Sequence, residues 1–164
     1  MNDEIRTERL VLRRFTMVDV APMHRMLSNQ DATRYWSTPP HETLEQTVEW
    51  VRSEVEAPPE LIDDFVVTLD GEVIGKLGSW RLPEVGFLFD PAVWGQGFAS
   101  EAMTAFIDRR RALGSAELTA DVDPGNAASL RLLTRCGFVE THRAEKTWNI
   151  GGAWHDSVYL KLEL

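Results

Sequence analysis

Hydrophobic and polar positions along the chain repeat with two different periods. Alternation between apolar and polar residues is typical of strands. It predicts strands at residues 8–14, 64–69, 73–80, 84–90, 116–122, 138–148 and 154–163. A period of about 3.6 residues is typical of helices packed on a sheet, and it predicts helices at residues 18–28, 43–55, 97–113 and 126–136. This order predicts an α+β fold in which helices cover a mixed sheet.

Local signals mark the ends of several of these elements. Thr43 with Gln46 is a capping box, which favours a helix start at that point. Asp70-Gly71 is a strong signal for a tight hairpin turn between two strands. Residues 149–152, which end in two glycines, indicate a second hairpin near the carboxyl end.

Length and composition indicate one soluble domain. The 164 residues, 43% of them hydrophobic and 26% charged, suit a single domain spanning residues 1–164. No apolar run approaches the ~18 residues that cross a bilayer, and MNDEIRTERL lacks the apolar region of a signal peptide. The single cysteine, Cys136, rules out an internal disulfide and suits a reducing compartment. We therefore expect a cytoplasmic protein with no membrane partner.

The net charge of −9 argues against a nucleic-acid partner, because binding to phosphates needs a basic surface. The only basic run, Arg109-Arg110-Arg111, lies near a predicted helix end just before Gly114. Cations there offset the helix dipole and glycine ends the helix. An acidic protein favours a cationic substrate such as an amine, although charge alone is weak evidence.

The segment WGQGFASE at residues 94–101 carries the clearest chemistry, because it lies directly between a predicted strand and a predicted helix. Gly95 and Gly97 permit positive φ and leave backbone N–H groups free to converge at a helix N-terminus, where they bind phosphates. A plain strand-to-helix turn is the alternative. Ser100 stands where a dinucleotide fingerprint requires glycine, and the Gly-Lys-Ser/Thr of a P-loop is absent.

Three ordered segments resemble the GNAT N-acetyltransferase superfamily, and specifically its RimJ/RimL-like branch. They are residues 7–13 (TERLVLR), 90–102 (DPAVWGQGFASEA) and 126–138, which begins with Asn126 and ends in Cys-Gly-Phe. The superfamily pattern Gln/Arg-x-x-Gly-x-Gly/Ala is matched at Gly97 and Ala99, with Trp94 in place of the Gln or Arg. The resemblance covers nearly the whole chain.

The resemblance implies a mostly antiparallel sheet with one splayed parallel pair, and acetyl-CoA as co-substrate. Unpaired backbone groups in such a wedge bind the pantetheine arm like an added strand. The resemblance assigns cofactor binding to Phe87, Leu88, Phe89, Gln96, Gly97, Phe98, Ala99, Ser100 and Asn126. Asn126 also suits the N-cap of the following helix, and one side chain can serve both purposes.

Acyl transfer to an amine needs a base and a group that stabilises the leaving thiolate. Glu84, on the wedge strand, is the candidate base, and its alternative is a solvated carboxylate at a strand start. The tyrosine that many GNAT enzymes place after the asparagine is replaced by Leu133, so Ser129 is the candidate acid. Cys136 is interpreted as a buried structural thiol, and the scattered histidines predict no metal site.

The resemblance also implies an acceptor groove, for which aromatic residues are the candidate walls. Trp36 lies in the loop where this branch builds one wall of the groove, while Trp148 and Trp154 flank the hairpin that builds the other. The resemblance therefore implies an N-acetyltransferase that moves acetyl directly to a primary amine of a small molecule or protein N-terminus. A non-catalytic acyl-CoA sensor and a longer-chain acyltransferase, such as a succinyltransferase, remain open. Related proteins are often homodimers, but no residue pattern decides this point.

Overall fold

The computed structural model describes residues 3–164, which form four helices and eight strands. The strands are β1 (Ile5–Arg6), β2 (Leu10–Arg13), β3 (Asp63–Leu69), β4 (Glu72–Arg81), β5 (Glu84–Phe89), β6 (Glu117–Val122), β7 (Val139–Ile150) and β8 (Ala153–Glu163). The helices are α1 (Val20–Leu27), α2 (Leu44–Glu56), α3 (Phe98–Ala112) and α4 (Ala127–Arg135). Short 3-10 turns at Met17–Asp19 and Pro91–Val93 precede α1 and α3. The periodicity missed only β1, whose two residues are too few to show a period.

All the strands join one sheet in the order β1-β2-β3-β4-β5-β6-β8-β7. Its neighbouring strands are antiparallel except β5 and β6, which are parallel. The paired register between β5 and β6 is a single residue pair, Glu84 with Thr119. From that point the two strands diverge toward their carboxyl ends. The α+β fold with a splayed parallel pair is therefore confirmed.

The helices bury both faces of this sheet. On one face, α3 and α4 pack against the sheet through buried residues that include Phe98, Phe106 and Leu133. On the other face, α1 and α2 pack through a smaller cluster that includes Met26 and Val51. Within residues 3–164, no helix is both long and apolar enough to span a membrane.

Alternation along β5 decides which face each of its side chains occupies. Val85, Phe87 and Phe89 pack into the core beneath α3 and α4. Leu88 belongs to the cluster beneath α1 and α2, and because successive side chains of a strand point to opposite faces, Glu84 shares that face with it. The candidate base therefore lies on the side of the sheet that α1 and α2 cover.

The capping box that predicts the start of α2 is present. The Thr43 hydroxyl accepts a hydrogen bond from the Gln46 backbone N–H, and the Gln46 side chain accepts one from the Thr43 backbone N–H. This reciprocal pair satisfies two donors that the first turn of a helix leaves unpaired.

The basic run lies in the last turn of α3, as predicted, and it also makes ion pairs that the sequence did not predict. Arg109 and Arg110 both bind Asp63, a buried carboxylate at the start of β3, with Arg109 Nε at 3.1 Å and Arg110 Nη1 at 2.8 Å. Arg14 binds the same carboxylate at 2.9 Å. Burial of Asp63 would raise its pKa, but the hydrogen bonds from Arg109 and Arg110 outweigh burial and lower it. These arginines thus tie α3 to β3, and an interpretation through the helix dipole alone is insufficient.

Candidate active site

The loop between β5 and α3 has the backbone conformation that its glycines predict. Gly95 has φ 74° and Gly97 has φ 81°, both in the left-handed region that side chains disfavour. Gly97 is the residue immediately before α3, which begins at Phe98. The first N–H groups of a helix have no intrahelical partner, so they are available to an anion at this end of α3.

The amino-terminal motif holds this loop in place. The Glu101 carboxylate accepts hydrogen bonds from the Thr7 hydroxyl at 2.5 Å, the Arg9 backbone N–H at 2.9 Å and Arg9 Nε at 2.7 Å. Arg9 Nη1 also donates to the Gln96 carbonyl at 3.1 Å, and its guanidinium stacks on the Phe98 ring. Two motifs about 90 residues apart therefore form one structural unit, and the carbonyl of Gln96 is already occupied.

Trp94, the departure from the superfamily pattern, anchors the other side of the loop. Its indole Nε1 donates a hydrogen bond of 3.0 Å to the carbonyl of Phe89, the last residue of β5. Asp90 adds a turn between them, because its side chain accepts from the Ala92 N–H at 3.0 Å. The Phe89 carbonyl is consequently satisfied within the chain. Leu88 is paired with Lys76 of β4, so Phe87 is the freer part of the wedge.

A cleft of about 780 Å³ opens where β5 and β6 diverge. It runs from the glycine loop past α4 to the loop between α1 and α2. Most of the predicted site residues line it, namely Trp36, Phe87, Leu88, Phe89, Gly97, Phe98, Ala99, Ser100, Asn126 and Ser129. Gln96 and Glu84 are absent from that lining. The structure thus brings together residues from four separate segments.

The cleft also has a basic wall that sequence reasoning missed. Arg131 and Arg135 of α4 and Arg34 of the α1–α2 loop line it. Within the part of the chain that the structure describes, none of the three has a carboxylate at ion-pair distance. The spacing of Ala128, Arg131 and Arg135 places them on one helix face, but it does not show that this face borders the cleft. In an acidic chain, this wall is a local positive region suited to phosphates.

Asn126 caps α4, as its alternative interpretation predicts. Its side-chain oxygen accepts a hydrogen bond of 3.2 Å from the Ser129 backbone N–H. This bond uses the backbone of Ser129 and not its hydroxyl. The hydroxyl therefore remains independent of the cap, on a residue that lines the cleft.

Glu84 lies at the closed end of the wedge, half-buried beside Asp121 of β6. Burial raises the pKa of Glu84 and the Asp121 charge raises it further, while Arg81 partly offsets both. The next residue on the same strand face is Gly86, and a Cβ placed there would have no atom within 4 Å. This open space over Gly86 separates Glu84 from Leu88, which lines the cleft.

The hairpin of β7 and β8 lies next to this region, and its role as a wall of the acceptor groove stays a prediction. Neither Trp148 nor Trp154 is among the described residues that line the cleft. The Trp148 indole instead donates to Asp121 at 2.9 Å, so it touches the neighbour of the candidate base. At the hairpin turn, a Cβ placed on Gly151 would lie 3.7 Å from the Pro39 ring of the α1–α2 loop. The hairpin therefore meets that loop beyond the cleft.

Cys136 is half-buried, and burial raises the pKa of its thiol. A raised pKa disfavours the thiolate, which supports a structural and not a nucleophilic role. Among residues 3–164, no group of three or more His, Cys, Asp and Glu side chains is arranged to hold a metal ion.

Comparison with known proteins identifies the family. The model of the Acetyltransferase (GNAT) domain matches residues 9–139. The Uncharacterized N-acetyltransferase YoaA of Bacillus subtilis is 31% identical over 144 residues, which are 82% of this chain and 81% of that protein. An L-methionine sulfoximine/L-methionine sulfone acetyltransferase of Pseudomonas paraeruginosa is 33% identical over 104 residues, which are 57% of this chain and 60% of that protein.

Among solved structures, RimL, a ribosomal L7/L12 alpha-N-protein acetyltransferase in complex with coenzyme A, superposes with a TM-score of 0.88. It is 19% identical in sequence, and the match covers 98% of each chain. The fold of this protein is therefore that of the RimJ/RimL-like structures, as its three motifs predict. Since the domain model matches most of the chain, the protein belongs to the GNAT family of acetyltransferases.

Proposed function

We propose that this acetyltransferase moves the acetyl group of acetyl-CoA to a primary amine by direct transfer, with both substrates bound together. The acceptor is the amine of a small molecule or a protein N-terminus, and residues 1–164 act as one catalytic domain in the cytoplasm. The observation that carries the proposal is the cleft at the splayed end of β5, which brings the glycine loop, Phe87 and Ser129 to one opening.

The residues of the cleft fit the chemical groups of acetyl-CoA. The pyrophosphate suits the N–H groups at the start of α3 and the positive charges of Arg131 and Arg135. The amide-rich pantetheine arm suits the unpaired backbone of β5 at Phe87, with Leu88 lining the cleft beside it. The Asn126 side chain, whose oxygen caps α4, retains amide hydrogens to donate to the same arm.

Acetyl-CoA supplies an activated acetyl group, and the transfer forms a C–N bond as a C–S bond breaks. Glu84 accepts the proton that the amine must lose before it attacks. A pKa raised by burial and by Asp121 makes Glu84 a stronger base than an ordinary glutamate. The amine reaches Glu84 through the open space over Gly86. Ser129 donates a hydrogen bond to the sulfur and so stabilises the leaving thiolate.

The relatives favour different acceptors, so the acceptor is tested and not assumed. A relative named for methionine sulfoximine suggests an amino-acid-like amine, whereas RimL suggests a protein N-terminus. Purified protein and acetyl-CoA should be incubated with amino acids, amines, aminoglycosides and N-terminal peptides. Thiol release and mass spectrometry then identify the acetylated product.

The matched control in this screen is Glu84→Gln, which keeps the shape of the side chain but removes the base. We expect at least one acceptor with which the wild type releases coenzyme A from acetyl-CoA and this variant releases it much more slowly. Tight acetyl-CoA binding without turnover on any amine would instead support a non-catalytic acyl-CoA sensor. Faster turnover with succinyl-CoA than with acetyl-CoA would support the longer-chain alternative.

A further inference from the structure

A buried group of charged side chains lies next to Trp36, the candidate acceptor contact in the lining of the cleft. It has no part in the transfer just described. Lys76 of β4 is 3% exposed and its ammonium binds the carboxylate of Asp64 on β3, which is also 3% exposed. Glu54 of α2 faces the same pair, because the Asp64 charge raises the pKa of Glu54 and the Lys76 charge lowers it. One oxygen of Glu54 is buried and has no hydrogen-bond partner among the described residues.

The register of the sheet places this group beside the cleft. Lys76 is paired across the sheet with Val66 on one side and Leu88 on the other, and both belong to the cluster beneath α1 and α2. Leu88 also lines the cleft. Lys76 therefore points to the face of the sheet that α1 and α2 cover, next to Leu88 of the cleft.

Trp36 connects the buried group to the cleft. It lines the cleft, and the ammonium of Lys76 lies 5.6 Å from the centroid of its ring, within the range of a cation–π interaction. The segment that carries Trp36 lies outside the regular helices and strands. The orientation of the Trp36 indole thus depends on the interactions of the ring itself. Lys76 supplies a directional interaction, because its ammonium lies over one face of the ring.

We propose that Lys76, held by Asp64, is a positioning residue that orients Trp36 as a wall of the acceptor site, and that ionisation of Glu54 disturbs this arrangement. The proposal rests on the proposed function only in treating Trp36 as an acceptor contact. Burial raises the pKa of Asp64 and the ion pair with Lys76 opposes that rise, so loss of the pH-dependent change in Glu54→Gln is what assigns that change to Glu54. With Glu54 neutral, Asp64 is the carboxylate that competes with the indole for Lys76. When Glu54 ionises, a second carboxylate attracts the ammonium away from the ring.

The pH at which this occurs follows from the surroundings of Glu54. Burial raises the pKa of Glu54 to about 7, with a further contribution from the Asp64 charge and an opposing one from Lys76. Thr47 lies on the same face of α2 as Glu54, nearer the start of the helix. Its hydroxyl is contacted by His24 of α1 and by His41 of the α1–α2 loop. Burial lowers the pKa of His41 below its ordinary value, so its titration falls at lower pH than that of Glu54.

The test measures the fluorescence of Trp36 in the protein without substrates. The spectrum of Trp36→Phe is subtracted from that of the wild type at each pH from about 5.5 to 8.5. We expect the difference spectrum to change with a single-proton midpoint near 7, the value of the Glu54 pKa. This measurement needs neither acetyl-CoA nor an acceptor, so its failure is distinct from a failure of the proposed function.

Three variants assign the transition. Glu54→Gln should abolish it, and this variant should fold, because it removes a carboxyl group whose ionisation is unfavourable in the folded state. The double variant Asp64→Asn/Lys76→Met removes both buried charges together and should also give a spectrum that does not depend on pH. His41→Asn should keep the midpoint near 7.

Persistence of the transition in Glu54→Gln, or its loss in His41→Asn, would overturn the proposal. A kinetic readout follows once an acceptor is known. The double variant should raise the acceptor KM by about the same factor as Trp36→Ala, with an unchanged Kd for acetyl-CoA. An equal loss of affinity for both substrates would indicate a general structural defect and would also overturn the proposal.

Discussion

Replacing Gly97 with alanine tests whether the start of α3 binds the phosphates of acetyl-CoA. Gly97 has φ 81°, and a Cβ there would lie 3.5 Å from Arg9 Nη2, an ordinary contact. The substitution therefore adds no clash, but it forces alanine into the left-handed region. That conformation costs about 1–2 kcal/mol, which corresponds to a Tm lower by roughly 2–8 °C.

Gly114 provides a matched control at the opposite end of the same helix. It has φ 77°, and a Cβ there would have no atom within 4 Å. Gly114→Ala should therefore lose a similar amount of stability. Gly114 lies outside the cleft, whereas Gly97 is part of the cleft lining. Only Gly97→Ala therefore places a methyl group where backbone N–H groups would meet a phosphate.

The expected loss of acetyl-CoA affinity in Gly97→Ala follows from the number of backbone hydrogen bonds that the methyl group would block. A hydrogen bond to a charged group contributes about 1.5–3 kcal/mol, and exposure of this loop favours the lower end of that range. Loss of one such bond raises the acetyl-CoA Kd about tenfold. Isothermal titration calorimetry gives Kd, and urea unfolding gives stability. The reasoning is refuted if Gly97→Ala and Gly114→Ala bind acetyl-CoA equally well.

Four further predictions concern catalysis, acceptor binding and stability. Glu84→Gln should lower kcat at least about 100-fold. Asp121→Asn should move the acid limb of the pH profile of kcat/KM to lower pH, because it removes a charge that raises the pKa of Glu84. An acid limb that does not move would contradict the assignment of Glu84 as the base. Ser129→Ala should lower kcat about tenfold with an unchanged Kd for acetyl-CoA, since the cap of α4 uses only the backbone of Ser129. Trp36→Ala should raise the acceptor KM and leave acetyl-CoA binding intact, and an equal acceptor KM would exclude the contact. Asp63→Asn should lower the free energy of unfolding by about 3 kcal/mol at pH 7. Folding lowers the pKa of Asp63, so its stabilisation is fully present above the ordinary value of about 3.9. It is lost progressively as the pH falls from there through the lowered pKa of the folded state. Urea unfolding of both proteins at pH 7 and pH 3 should therefore show the difference shrink.

Local signals in the sequence predicted most of the secondary structure. The capping box at Thr43 and the turn at Asp70-Gly71 depend on residues only a few positions apart, and both appear where predicted. The conformations of Gly95 and Gly97 were also predictable, because only glycine adopts positive φ without strain. Resemblance of three motifs then indicated the family, and most of the site residues that it implied line the cleft.

Interactions between distant residues were beyond reach of the same reasoning. The periodicity of α3 explains its buried face but not why Arg109 and Arg110 bind Asp63. Nothing local to Arg131 and Arg135 shows that their helix face borders the wedge. Such contacts depend on the order and register of strands, which are set by the packing of the whole sheet.

The sequence by itself determined the elements, the glycine loop and the family, because each is encoded by neighbouring residues or by an ordered motif. Only the tertiary structure decided how these parts act together. It joined Arg9 to Glu101, set Asp121 beside Glu84 and brought Lys76 beneath Trp36. The physical reason is that burial and charge at each site come from strands and helices that meet only after the chain has folded.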